Sequence, residues 1–274
     1  MSNLEPGVVA GDATETLAGG TAVVATTPVW ELLSGREVVL GGPRGLPVLR
    51  TLPNKDRRMV GAWCFVDHYR TAPDSSAAQD GAATPVDAAA VDQRPTMKVA
   101  PHPHTGLQTV TWLVDGEVRH RDTLGSDQLI RPGQLNLMTA GRGIAHAEDS
   151  IGRPGAPLHG VQLWVALPDE SRQVPPDFAH HANLPLRTED GVELRVIMGE
   201  LDGATSPART YSDLVGAEVA LRPSASTRLQ LRPDFEYAAL VLVGSVRVGS
   251  VRVGEVALDP GPLLYLGCGR EELS

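Results

Sequence analysis

Cysteine is nearly absent: the 274 residues contain only Cys64 and Cys268, in segments far apart. That scarcity excludes a disulfide framework and a Cys-x-x-Cys thiolate site, so any metal must be held by histidine and carboxylate. No apolar run approaches the roughly 18 residues that a membrane-spanning helix requires. Basic charge is short as well. Lys and Arg number 24 against 33 Asp and Glu, a formal charge of -9, which argues against unaided binding to phosphate backbones or anionic membranes. The first thirty residues place Glu5, Asp12 and Glu15 before any basic residue and lack the apolar stretch of an export signal, so the expected location is the cytoplasm. A P-loop and a serine-centred nucleophile elbow are both missing. Gly141-Arg142-Gly143 lacks the glycine spacing and Lys-Ser/Thr pair of a phosphate loop and reads as a glycine turn.

What is present is a chain with 42% hydrophobic residues, long enough for two compact halves of about 130 residues each. After an Ala/Gly/Thr-rich tail over residues 1–30, its 29 glycines and 22 prolines punctuate short β-branched, alternating runs. Strands are expected at 37–40, 48–52, 62–66, 109–114, 117–122, 135–138 and 159–167. A surface loop is expected over 72–96, and a tight hairpin at Asp115-Gly116 with positive φ at both positions. A weak helix or loop is expected over 168–185, broken by Pro175-Pro176. A second β-rich half follows from Val192, ending in the near-repeat Gly244-Ser245-Val246-Arg247-Val248 and Gly249-Ser250-Val251-Arg252-Val253, which reads as short strands of a surface hairpin with glycine turns. Many short strands with turns between them suggest a barrel or jelly roll.

Histidine is unevenly spread. Residues 182–274 contain none, whereas His102 and His104 sit two apart and His146 is followed by Glu148 at the same spacing. A strand sends residues i and i+2 to one face, so each pair can aim both side chains at one point. Two such strands side by side would offer three nitrogens and one oxygen, a set suited to first-row metals that leaves coordination positions open for water, oxygen or substrate. The spacing leaves Fe, Mn, Ni, Co, Cu and Zn all open.

These residues stand within His102-Pro103-His104-Thr105-Gly106-Leu107-Gln108-Thr109-Val110-Thr111, then Gly125 to Gly133, then Met138-Thr139-Ala140-Gly141-Arg142-Gly143-Ile144-Ala145-His146-Ala147-Glu148. In these segments, and from Arg57 through Pro168, the chain resembles the pirin family, a branch of the cupin superfamily. The resemblance implies a mostly β protein of two tandem cupin barrels, over residues 31–168 and 169–274, with metal only in the first. It implies iron, as Fe2+, held by His102, His104, His146 and Glu148. It further implies either a quercetin 2,3-dioxygenase, which opens the central ring of a flavonol with O2 and releases carbon monoxide, or a metal-dependent regulator that binds a transcription factor or metabolic enzyme. In the enzymatic case Glu148 takes the proton of the flavonol 3-hydroxyl. Two departures from the family pattern stand out. Gln108 replaces the glutamate usual four residues after the second histidine, and the chain ends at Glu271-Glu272-Leu273-Ser274, where members usually continue, implying a shortened second barrel.

Other histidines and aromatics have plainer readings. His120, between Arg119 and Arg121, reads as part of a solvated face, with contact at the pocket rim as the alternative; His159 as structural, with a place behind the metal as the alternative; His180 and His181 as exposed loop residues; and Asp67-His68 as a capped turn. Trp112, Trp164 and Met138 read as core, and Cys64 as an inert buried thiol.

Overall fold

The computed structural model describes residues 30–40, 46–71, 97–152, 156–250 and 254–274; the tail up to residue 29, the 72–96 segment and Val251–Val253 of the near-repeat lie outside them. Runs of alternating β-branched residues cut by Gly and Pro leave no stretch with a helical period. Accordingly, the described residues form strands and turns and no helix.

The first twelve strands are β1 (Glu31–Leu33), β2 (Arg36–Leu40), β3 (Leu46–Leu52), β4 (Trp63–Arg70), β5 (Lys98–His104), β6 (Leu107–Asp115), β7 (Val118–Asp122), β8 (Asp127–Ile130), β9 (Leu135–Thr139), β10 (Ile144–Ser150), β11 (His159–Ala166) and β12 (Asp177–His181). Eleven of them make two antiparallel walls. One runs β12-β9-β6-β11-β4-β3-β2 and the other β5-β10-β7-β8. The walls close on a shared interior. At one end Leu46, Val48, Tyr69 and Leu113 of the larger sheet meet Val118 and Ile130 of the smaller one, all buried. Each such side chain contributes on the order of 1.5–3 kcal/mol relative to exposure.

Strand parity then sorts the larger sheet into two faces. On β6, Thr109, Thr111 and Leu113 look into the barrel, while Val110 and Trp112 look out and pack with Leu135, Leu137, Val161 and Val165 against Ile197, Met198, Ala208 and Leu214 of the second half. The Trp112 indole N–H donates to Glu218 Oε1 at 3.0 Å. Trp63 does the same to the Val215 carbonyl at 3.1 Å. So Trp112 and Met138, 1% exposed each, are core as expected.

The second half is built from smaller sheets. β13 (Leu186–Glu189), β14 (Val192–Met198) and β17 (Gly216–Leu221) form one; β19 (Tyr237–Leu240) and β22 (Leu263–Gly267) form another, whose third strand is β1. Three two-stranded sheets complete it: β15 (Glu200–Leu201) with β16 (Ala204–Thr205), β18 (Leu229–Gln230) with β23 (Glu272–Leu273), and β20 (Val246–Ser250) with β21 (Gly254–Leu258). Sheet membership therefore crosses between the halves in both directions, because β1 joins β22 and β12 joins β9.

Several local expectations change. The 168–185 stretch is a turn followed by β12, not a helix or a plain loop, because β12 pairs with β9 from Asp177↔Thr139 to His181↔Leu135. Asp67 and His68 lie inside β4 rather than in a turn. At the 115–116 hairpin only Gly116 takes positive φ, +87°, and its N–H is accepted by Asp115 Oδ1 at 2.7 Å. In the near-repeat Gly244 turns with φ +71°, but Gly249 sits within β20 opposite Glu255. Gly141 turns as expected, with φ +51°, where a Cβ would lie 2.0 Å from the Val174 carbonyl oxygen. That turn starts the run into His146. Among the described residues no helix is long and apolar enough to cross a membrane.

Candidate metal centre

The antiparallel register of β5 and β10 sets His146 directly opposite His102 and Ile144 opposite His104. Both pairs face inward, so three imidazoles converge, with one ring nitrogen of each lying within 4.8 Å of the others. His146 Nε2 and His102 Nε2 are 3.1 Å apart. Two nitrogens bound at about 2.1 Å and at right angles around one ion would be ~3.0 Å apart, so the observed spacing fits adjacent ligand positions. His104 and His146 are buried and His102 half-buried. Burial first, then the neighbouring imidazole of His102, pushes His104 down to about 4. Burial, followed by His102, His120 and His104, takes His146 to about 2. Neutral imidazoles with free lone pairs are the form a metal needs.

Glu148 lies one inward position beyond His146 on β10, 4% exposed, with Thr111 Oγ1 donating to its Oε1 at 3.0 Å. Its carboxylate groups with His146 and His120, again within 4.8 Å. The four expected residues are thus divided between two overlapping sets that share His146: the histidine triad, and a deeper group in which Glu148 and His146 meet His120, which was not among the four. Burial raises the Glu148 carboxyl above its ordinary value, against the opposing pull of His120 and the Thr111 hydrogen bond, which makes it a better proton acceptor.

His120 is where the sequence reading fails. It is 2% exposed, not solvated. Arg119 and Arg121 do point to solvent, but alternation puts His120 on the opposite face, into the barrel. There its ring stacks on Phe178 of β12, with centroids 4.3 Å apart. Its Nδ1 is 3.3 Å from His146 Nδ1 and its Nε2 is 3.0 Å from Asp122 Oδ2. The signal was available in the i, i+2 spacing of His120 and Asp122. His180 is likewise not a loop residue. It sits on β12, half-buried, with Nδ1 2.7 Å from Asn136 Oδ1, and His181 follows it on the same strand.

His159 is buried against His68, Nε2 to Nε2 at 2.8 Å. Burial, then His159 and Arg70, lowers His68 to about 4. Cys64 is partly buried, and its thiol is pushed up by desolvation, which leaves it unreactive. Gln108 shares the outward face of β6, where its amide donates to Thr139 Oγ1 at 3.0 Å and to the Arg209 carbonyl at 3.1 Å. Its exchange for glutamate therefore does not touch the triad.

Beside the triad stands an aromatic wall. Trp164 of β11 meets His104 edge-on at 4.9 Å and stacks on Phe65 of β4 at 3.8 Å. Arg50 lies over the Phe65 ring at 4.2 Å and grips Asp67 in a bidentate pair at 2.7 and 2.8 Å. Trp164 is half-buried, so it belongs to the rim of the site as well as to the core.

An antiparallel β-barrel of this kind is the cupin fold, and its inward histidine triad and carboxylate are a set that could hold a metal ion. The pirin family profile matches residues 45–165. A Pseudomonas aeruginosa protein named "Putative quercetin 2,3-dioxygenase PA1205" is 43% identical over 242 residues, covering 88% of this chain and 69% of that protein. A "Pirin-like protein" of Caulobacter vibrioides is 39% identical over 202 residues, 72% of this chain and 65% of that protein. Among solved structures, quercetin 2,3-dioxygenase from Acinetobacter baumannii superimposes with a TM-score of 0.67 at 37% identity, covering 89% of this chain and 77% of that one. This chain belongs to the pirin family.

Proposed function

We propose that the protein is an iron-dependent quercetin 2,3-dioxygenase. It opens the central ring of a flavonol with O2 and releases carbon monoxide. The observation that carries this reading is the convergence of the His102, His104 and His146 nitrogens within 4.8 Å, next to a buried carboxylate and an aromatic wall. The names of the Pseudomonas and Acinetobacter relatives support the same chemistry. His102, His104 and His146 would hold the ion, with Glu148 at its deeper side. When bound, iron supplies Lewis acidity and a route for O2 to react with the substrate.

The chain's own residues do the rest. Glu148, raised by burial and held by the Thr111 hydroxyl, takes the proton of the flavonol 3-hydroxyl, which leaves the substrate anionic and electron-rich. The half-buried Trp164 ring, backed by Phe65, offers a flat apolar surface for a planar substrate, which fixes its orientation beside His104. The apolar plug of Leu113, Val118 and Ile130 closes the far end of the barrel and keeps water from the proton-accepting carboxylate. The test is direct. Protein reconstituted with Fe2+ under anaerobic conditions and mixed with quercetin should lose the flavonol absorbance when oxygen is admitted. Loss no faster than in the metal-free control would remove the proposal.

A further inference from the structure

Behind the triad runs a chain of side chains that the dioxygenase reading does not use. Asp122, whose side chain is buried, ends β7, where Oδ1 accepts the backbone N–H groups of Leu124 at 2.8 Å and Ser126 at 3.1 Å. Its other oxygen, Oδ2, lies 3.0 Å from His120 Nε2. His120 Nδ1 in turn lies 3.3 Å from His146 Nδ1. Finally, His146 Nε2 faces His102 Nε2 at 3.1 Å. His120 cannot swing out of this chain, being 2% exposed and stacked on Phe178.

We infer that Asp122 and His120 are positioning residues that hold the ring proton of His146 on Nδ1, so that its Nε2 is presented bare to a metal ion; this rests on the metal-centre reading above. The argument is a count of protons. A carboxylate only accepts, so the hydrogen between Asp122 and His120 sits on His120 Nε2. A neutral imidazole carries one N–H, which leaves His120 Nδ1 an acceptor. The contact between the two Nδ1 atoms needs a donor, and only His146 can supply it. His146 Nε2 is then a free lone pair. His102 reaches the same state separately, because its Nδ1 lies 2.9 Å from the Ala100 carbonyl oxygen and must donate to it. Two bare nitrogens 3.1 Å apart repel each other in a buried site and are reconciled by a shared cation. Partners behind metal-bound histidines commonly work in this way, fixing the tautomer and ring orientation.

Asp122→Asn isolates the effect because it alters one atom. The amide oxygen still caps Leu124 and Ser126, while the new NH2 faces His120 Nε2 as a donor. That reverses the chain: His120 becomes the Nδ1–H form, and His146 is driven to carry its proton on Nε2. The experiment is long-range 1H–15N NMR of the metal-free chain labelled at histidine, together with anaerobic Fe2+ affinity by chelator competition. In the wild type, His146 should be the Nδ1–H tautomer and His120 the Nε2–H tautomer. In Asp122→Asn both should invert, and Fe2+ affinity should fall 10–100-fold. A wild-type His146 protonated on Nε2, or a doubly protonated His120 that donates to it, overturns the inference; so does a variant with unchanged tautomers and affinity within threefold. If Asp122→Asn does not fold, the wild-type tautomers alone decide. A wild type with the expected tautomers that takes up no Fe2+ refutes the metal centre instead and leaves the proton arrangement standing.

Discussion

Glu148→Gln separates chemistry from architecture at this site. The side chain is 4% exposed, and its Oε1 accepts one hydrogen bond, from Thr111 at 3.0 Å. An amide has the same shape and keeps an oxygen for Thr111, so the barrel loses no packing and no hydrogen bond. It does lose a buried anion whose desolvation already works against the charged form, and the metal-free variant should therefore melt at or above the wild-type temperature. What disappears is the proton acceptor. A positioned base is worth about 10²–10⁴ in rate, and at 1.36 kcal/mol per decade that is ~2.7–5.4 kcal/mol of barrier. With Fe2+ saturating, kcat for quercetin should drop by that factor, while Fe2+ affinity, carried mainly by His102, His104 and His146, falls less. Steady-state oxygen uptake and a parallel chelator competition measure the two quantities. Turnover within tenfold of wild type would show that Glu148 is not the base, and loss of metal binding as large as the loss of rate would show it to be chiefly a ligand.

Three further outcomes are expected. Fe2+ at 100 times its dissociation constant should stabilise the chain by about 2.7 kcal/mol, and the shift in melting temperature should vanish in His104→Ala; a shift that survives the substitution would place the ion elsewhere. Arg50→Met strips Asp67, which is 0% exposed, of its bidentate partner and should cost about 3–5 kcal/mol in urea unfolding, with Arg50→Met/Asp67→Leu recovering most of it; a single variant as stable as wild type refutes a folding role for the pair. His68 is lowered to about 4 in the fold from an ordinary value near 6.5, so the unfolded chain binds the proton first. The stabilising contribution is complete above pH 6.5 and is lost as pH falls towards 4, by up to roughly 3 kcal/mol; urea midpoints between pH 7 and 5 should shift less in His68→Gln than in wild type, and equal shifts would assign the acid loss to other groups.

Much of this was legible in the chain. The i, i+2 spacing placed His102 with His104 and His146 with Glu148 on inward faces, and period-two alternation marked the strands that became β6, β9 and β11. What the sequence hid came from long-range pairing. β12 has two prolines just before it and no apolar alternation, and only its pairing with β9 makes it a strand that carries Phe178 to His120. His120 itself was misread because its charged neighbours were weighed above its parity. Gln108 stood out as a departure from the family pattern, but the sequence alone could not say that it lies on the outward face, a distinction that depends on which side of β6 the second half covers.

The exchange of β1 and β12 between the sheets has a consequence for the molecule as a whole. A cut in the chain near residue 168 would deprive each fragment of an edge: the first would lose β12, which borders β9 and brings Phe178 to His120, and the second the border that Glu31–Leu33 provide to Leu263–Tyr265. The second half is thereby tied into the integrity of the barrel that holds the triad, and neither fragment could be discarded without exposing raw sheet in the other.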